Sequence, residues 1–222
     1  AQLDDLIRQL NEMGITVHIQ LADKLMVGTQ RQFVERLGGY TVLTTSINTI
    51  STGELFVKRL FDIIGGLVGC VLTGILFLIL APAIKIQSPG PVFFSQIRVG
   101  KNGKKFKLYK FRSMYTDAEE RKAQLVAENR VTDGLMFKLD FDPRIIGCRQ
   151  LPDGTVKKGI GNFIRDWSFD EFPQFWNVLK GDMSLVGTRP PTEDEWVRYE
   201  LHHRSRLAIK PGITGMWQVS GR

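Results

Sequence analysis

The chain has 222 residues, 43% apolar and 24% charged, close to ordinary globular usage, which disfavours a disordered chain, a collagen-like fibre and a polytopic membrane protein. Lys and Arg number 30 against 23 Asp and Glu, and the resulting charge of +7 calls for an anionic partner such as phosphate or anionic lipid. Cys70 and Cys148 cannot build a disulfide framework, which favours a reducing compartment, and His18, His202 and His203 show no zinc-ligand spacing.

Leu3, Leu6, Ile7, Leu10 and Met13 recur at helical spacing before Gly14, and Ile15 to Leu21 alternates as a strand. A second helix-like piece over Gln30 to Leu37 ends at Gly38-Gly39, and Tyr40 to Thr45 reads as another strand. This is the pattern of the last units of an α/β domain, with a self-contained cap as the alternative. Ser46 to Gly53 is a polar connector. The chain opens without Met or a basic leader, so it is expected to begin inside a longer protein.

A mean hydropathy of −0.09 hides the next feature. From Ile63 to Ile84 there are 22 residues without a charge, 13 of them Leu, Ile, Val or Phe. At about 1.5 Å per residue this reaches across a bilayer core of about 30 Å, and the 13 side chains favour insertion by roughly 4 to 8 kcal/mol. Lys58 and Arg59 precede the run, and a larger basic cluster beginning at Lys85 follows it. A simple span places one cluster on the wrong face, whereas a re-entrant helix, broken at Thr73-Gly74 or nearer Pro82, keeps both on the cytoplasmic side. Asp62 at the rim is expected to pair with Lys58 or Arg59.

From Arg98 to Arg112 seven cations and no acid alternate with Phe106, Leu108, Tyr109 and Phe111. This is a basic face suited to anionic lipid or to a phosphate site, and no helix-turn-helix, RNP or zinc-finger pattern supports nucleic acid. Asp170-Glu171 lies in Ser168-Phe169-Asp170-Glu171-Phe172-Pro173-Gln174. Ser168 and Glu171 have capping-box spacing, but Pro173 fits better if the helix starts at Asp170, whose carboxylate then stands at a helix N-terminus as a competent nucleophile or metal ligand. Asp140-Phe141-Asp142 is a D-x-D beside Pro143 and reads as a turn rather than a metal site. Gly187-Thr188-Arg189-Pro190-Pro191 holds one Arg on a rigid turn, suited to phosphate or a base. Glu193 to Lys210 is expected to be one helix with Trp196, Tyr199, His203 and Leu207 on one side.

In order along the chain, Lys58-Arg59-Leu60-Phe61-Asp62, Ser88-Pro89-Gly90-Pro91-Val92-Phe93-Phe94-Ser95-Gln96, Lys110-Phe111-Arg112-Ser113-Met114, Ser168 to Gln174, Asn177 to Ser184 and Lys210-Pro211-Gly212-Ile213-Thr214-Gly215 closely resemble the bacterial sugar transferases that are polyprenyl-phosphate glycosyl-1-phosphate transferases. The resemblance covers Lys58 to Arg222. It implies transfer of a sugar-1-phosphate from a UDP-sugar to undecaprenyl phosphate with release of UMP, on the cytoplasmic face of the bacterial cell membrane. Asp170 is then the nucleophile, Glu171 its catalytic partner and Mg²⁺ bridges Asp170 and the diphosphate. Arg98, Lys110 and Arg112 become candidates for phosphate, Arg189 for the uridine phosphate or base, and Gln174 for substrate contact.

The implied architecture is an α/β (α+β) monotopic membrane enzyme. Residues 1–45 resemble the end of a Rossmann-like domain of long members, 46–57 form a linker, 58–86 the re-entrant helix and 87–222 the catalytic domain. Gly134 to Asp140 and Gly187 to Thr192 resemble capsule or exopolysaccharide initiators of Gram-positive bacteria, which mostly transfer glucose or galactose phosphate. A homodimer is expected by resemblance to the long members. The family's Ser-Pro at the helix break is Gly74-Ile75 here, and the chain is expected to be shortened at Arg222. Two rival readings are a non-catalytic membrane-anchored scaffold and a D-x-D glycosyltransferase that releases UDP.

Overall fold

The computed structural model describes residues 31–37, 40–46, 52–125 and 141–215. The chain divides into two units, Ala1–Ser51 and Thr52–Arg222. In the first, β1 (Arg31–Leu37) pairs antiparallel with β2 (Tyr40–Ser46), from Arg31 opposite Ser46 to Leu37 opposite Tyr40. The helix expected over Gln30 to Leu37 is therefore a strand: pairing with the β-branched run of β2 overrides weak helical spacing. The expected helix at Leu3 to Met13 and strand at Ile15 to Leu21 lie outside the described residues.

The second unit is a mixed helix and strand assembly built along α1 (Thr52–Gln87), 36 residues long. At about 1.5 Å per residue α1 spans about 54 Å. Thr52 to Val57, expected in the linker, are its first turns. Helical structure continues through Thr73-Gly74 and Pro82, where the sequence suggests a break. Among the described residues α1 is the one helix long and apolar enough to cross a membrane.

One side of α1 is packed along much of its length. A Cβ on Gly65, Gly66 or Gly69 would fall 2.6 Å from Leu185, 2.8 Å from Leu179 and 2.1 Å from Phe175, so Gly66 and Gly69 let the helix Gln174–Lys180 approach and Gly65 makes room for the strand residue Leu185. Arg59 donates to the carbonyls of Val178 at 2.8 Å and Leu179 at 2.7 Å, the negative end of that helix. Asp62 is buried and accepts from Ser184 Oγ and the Leu185 N–H, both at 2.9 Å. The direct pair expected with Lys58 or Arg59 is replaced by a relay, because Lys58 Nζ donates to Ser184 Oγ at 2.5 Å. Farther along, Leu80, Ala81 and Ile84 join Val92, Phe111, Ile146 and Ile164 in one core. Leu67, Val68, Val71, Leu78 and Ile79 of α1 are exposed and form an uncovered apolar surface.

β3 (Phe93–Val99) and β4 (Lys105–Phe111) form an antiparallel hairpin with Phe94 opposite Lys110, Gln96 opposite Leu108 and Arg98 opposite Phe106. Phe106 and Leu108 enter a second core with Val178 and Met183. After α2 (Ala118–Gln124) and the short pair β5 (Arg149–Gln150) and β6 (Val156–Lys157), α3 (Ile160–Asp166) leads to a 3₁₀ turn, Phe169–Glu171, and α4 (Gln174–Lys180). The helix expected to start at Asp170 starts at Gln174 instead, and the capping-box spacing of Ser168 and Glu171 is not used either. Ser168 is in the left-handed region, φ 56°, and makes no cap bond, so Asp170 sits in the 3₁₀ turn rather than at an α-helix N-terminus. Pro173, which has no N–H to give, stands just before α4. Gly181 ends α4 as expected, with φ 89° and its N–H on Asn177 and Val178 carbonyls.

β7 (Ser184–Val186) runs parallel to β8 (Gly212–Thr214). Between them the single helix expected from Glu193 to Lys210 is three pieces: α5 (Glu193–Val197), α6 (Leu201–Arg204) and a 3₁₀ turn, Ser205–Ala208. Trp196, Tyr199 and His203 still share one side, with ring centroids 6.0 and 5.4 Å apart. Asp142 is held by Arg144 at 2.8 and 2.7 Å, and Asp140 lies outside the described residues.

Candidate active site

The 3₁₀ turn brings Asp170 and Glu171 beneath strand β4. Lys110 Nζ lies 3.1 Å from Asp170 Oδ2 and 3.1 Å from Glu171 Oε1, so one ammonium holds both carboxylates. Burial pushes the Asp170 carboxyl above its ordinary value, the Lys110 charge works against that shift, and the neighbouring Glu171 charge adds to it. Asn177 sets the height of the strand over the turn. Fully buried on α4, it donates to the Lys107 carbonyl at 2.7 Å and accepts from the Tyr109 N–H at 3.2 Å, the residue beside Lys110.

Arg98 projects from the same face of the hairpin as Lys110, since Arg98 pairs with Phe106 and alternation puts positions 106, 108 and 110 on one side. It donates to the Pro190 carbonyl at 3.1 Å, and its buried Nε has no hydrogen-bond partner. Burial lowers its pKa, the nearby Arg189 charge lowers it further, and Glu195 and Glu171 pull it back. Arg98 thus stands within electrostatic reach of the carboxylate pair and of Arg189. Glu195 accepts from Arg189 at 3.2 to 3.3 Å and also closes a capping box on Thr192.

Asp170, Glu171, Lys110, Arg98 and Arg189 are therefore brought together, directly or through Arg98. Gln174 is buried in the first turn of α4. Arg112 is placed elsewhere: buried, it donates to Ser88 Oγ at 3.0 Å, to the Pro89 carbonyl at 3.3 Å and to the Ser88 carbonyl, fixing the turn that leaves α1. Asn177 and Glu195 are site residues the sequence reading missed. Thr192-x-x-Glu195 has the capping-box spacing that marks Glu195, while Asn177, which opens the Asn177 to Ser184 motif, shows its role only in the fold because its partners are about 70 positions away.

Residues 53–222 match the family model described as bacterial sugar transferase. The chain belongs to the bacterial sugar transferases. It is 45% identical over 221 residues to the galactosyl transferase CpsE of Streptococcus agalactiae, covering 100% of this chain and 46% of that protein. It is 40% identical to the undecaprenyl-phosphate galactose phosphotransferase of Salmonella typhimurium, over 79% of this chain and 35% of the relative. The exopolysaccharide production protein ExoY of Rhizobium meliloti is 37% identical over 74% of the chain and 69% of its own length. The chain thus spans less than half of the first two relatives, and in this bacterial sugar transferase the matched region contains every element of the site described above.

No group of three or more His, Cys, Asp or Glu side chains gathers among the described residues. Two adjacent carboxylates suit Mg²⁺, which binds through one or two carboxylates and completes its shell with substrate phosphates and water. Asp170 and Glu171 are the residues that would hold it.

Proposed function

We propose that this bacterial sugar transferase moves a hexose-1-phosphate, galactose or glucose, from a UDP-sugar to undecaprenyl phosphate, releasing UMP, in the first membrane step of capsular or exopolysaccharide synthesis. The observation that carries the reading is Lys110 lying 3.1 Å from both Asp170 and Glu171, with Arg98 on the same face of the hairpin. Anionic oxygens are gathered where cations converge, and phosphoryl transfer from a diphosphate needs that arrangement.

In the first half-reaction an Asp170 carboxylate oxygen attacks the phosphorus attached to the sugar. The phosphoanhydride bond breaks, and UMP departs with the bond's electron pair. Lys110 holds the attacking carboxylate and the transferred phosphoryl oxygens, while Arg98 and Arg189 take the UMP phosphate. In the second half a phosphate oxygen of the lipid attacks the same phosphorus, the acyl-phosphate bond breaks, and Asp170 is freed. No net proton is needed in either step. Asp170 and Glu171 would hold Mg²⁺, which would supply charge neutralisation of phosphate oxygens. Splitting the reaction lets two bulky substrates use one site in turn.

A monotopic topology is supported by the two ends of the apolar run. Lys58 and Arg59 bind Ser184, Val178 and Leu179, while Leu80 to Ile84 enter the core with Ile146 and Ile164. Both ends contact one unit, which supports placing both flanks on one membrane face, the cytoplasmic face where nucleotide sugars are made. Residues 1–45 are read as the end of a Rossmann-like domain, and β1 and β2 of the first unit form an antiparallel pair. Pairing of two copies, as in the long members, is tested by mass measurement in nanodiscs.

The deciding experiment is Asp170→Asn assayed with UDP-galactose, UDP-glucose and undecaprenyl phosphate. UMP release and ³²P labelling of the protein from a β-labelled donor should vanish. Unchanged UMP release would sink Asp170 as nucleophile, UDP as product would point to an ordinary glycosyltransferase, and no nucleotide release from wild type would favour a scaffold.

A further inference from the structure

Strand alternation orders the site along the β3–β4 hairpin. With Phe94 opposite Lys110, Gln96 opposite Leu108 and Arg98 opposite Phe106, the side chains of Phe94, Gln96, Arg98 and Lys110 share one face. Arg98 and Phe94 are four residues apart on one strand, about 13 Å at 3.3 Å per residue. Lys110, on the reacting phosphate, therefore stands beside Phe94 and far from the Arg98 end where Arg189 and Glu195 gather.

Phe94 is 41% exposed on this face, an apolar ring next to a charged cluster. Its neighbour Phe93 projects to the opposite side and stacks on Phe111 at 5.2 Å and on Phe77 of α1 at 5.4 Å. Phe77 lies within the uncharged run, so the Phe94 end of the hairpin is fastened to the membrane helix. A substrate that is a phosphate at one end and a hydrocarbon chain at the other meets both requirements here: its head at Lys110, its chain leaving over Phe94 at the hairpin end that is fastened to α1 through Phe93. The UDP-sugar offers no such chain, and its phosphate beyond the reacting one is taken up at the Arg98 end.

We infer that Phe94 forms the acceptor subsite, contacting the isoprenoid units next to the lipid phosphate, so that donor and acceptor enter the shared Lys110–Asp170 centre from opposite ends of the hairpin. The inference rests on the function proposed above. The test uses the full chain in lipid nanodiscs with UDP-galactose and undecaprenyl phosphate, comparing wild type, Phe94→Ala and Phe94→Leu. Without acceptor, the burst of UMP that reports the first half-reaction should keep its amplitude and rate within about twofold in both variants, which also counts folded sites. With acceptor, the KM for undecaprenyl phosphate should rise about tenfold in Phe94→Ala and be largely restored in Phe94→Leu.

A raised donor KM or a lost burst with an unchanged acceptor KM would assign Phe94 to the nucleotide and overturn the inference. So would unchanged kinetics for both substrates. A wild-type protein that gives no burst, or releases UDP, strikes the underlying reaction instead, and that result is separate from any behaviour of Phe94.

Discussion

The Thr73 hydroxyl, midway along the uncharged run of α1, lies 3.0 Å from the carbonyl oxygen of Phe172, the residue after Glu171. The same hydroxyl is 2.7 Å from the Gly69 carbonyl one turn back, and its single proton serves one acceptor at a time. When the proton turns to Phe172, α1 is bonded directly to the residue that follows the two carboxylates.

Thr73→Val keeps the shape of the side chain and removes that donor. A net hydrogen bond is worth about 1 kcal/mol, so kcat for UMP release should fall about fivefold with the donor KM unchanged, and Thr73→Ser should restore it. An unaltered kcat in Thr73→Val would show that the turn is held without this bond.

Gly69 permits the seating of α4 on α1, because a Cβ there falls 2.1 Å from the Phe175 ring. Gly69→Ala should destabilise the protein by about 1 to 3 kcal/mol through overpacking, read as a lowered Tm in detergent, and Phe175→Leu in the same chain should recover part of the loss.

Asp170 has a folded-state pKa raised chiefly by burial, so the native state holds the proton to higher pH than the unfolded chain. The group's stabilising contribution is present below the unfolded value and is lost as pH rises through the folded value. Asp170→Asn should therefore be inactive yet more stable at neutral pH, with a higher Tm and a flatter Tm profile across the acidic range.

Lys110 is the largest influence opposing that upward shift. Lys110→Met should move the acid limb of the kcat/KM profile to higher pH, in addition to lowering the maximum. An acid limb that stays in place would separate Lys110 from the ionisation of Asp170.

Removal of divalent metal with EDTA should abolish UMP release and protein labelling, and Mg²⁺ should restore both. Arg189→Ala loses a charged donor worth about 1.5 to 3 kcal/mol and should raise the donor KM at least tenfold, measured with UDP-galactose while the acceptor KM stays constant.

Much of the site was legible locally. Asp170-Glu171, Lys110, Arg98 and Arg189 are read from ordered motifs, and the apolar run from composition alone, because long uncharged segments and short charged patterns are properties of neighbours in sequence. Elements whose fate depends on partners were not legible: Arg31–Leu37 is a strand only because β2 is beside it, and the helix expected from Glu193 to Lys210 is interrupted. Arg112 shares its short motif with Lys110, yet the two diverge, one to the turn after α1 and the other to the carboxylates.

The length, the +7 charge and the 22 uncharged residues determined by themselves that this chain combines one helix long and apolar enough to cross a membrane with a strongly basic stretch. Only the tertiary structure decided where that stretch acts. Asn177 fixes β4 by hydrogen bonds across about 70 residues, strand alternation puts Arg98 and Lys110 on one face, and Thr73 of α1 reaches the residue after the two carboxylates about 100 residues away. Such contacts depend on chain reversal and close packing, which no local pattern of residues encodes.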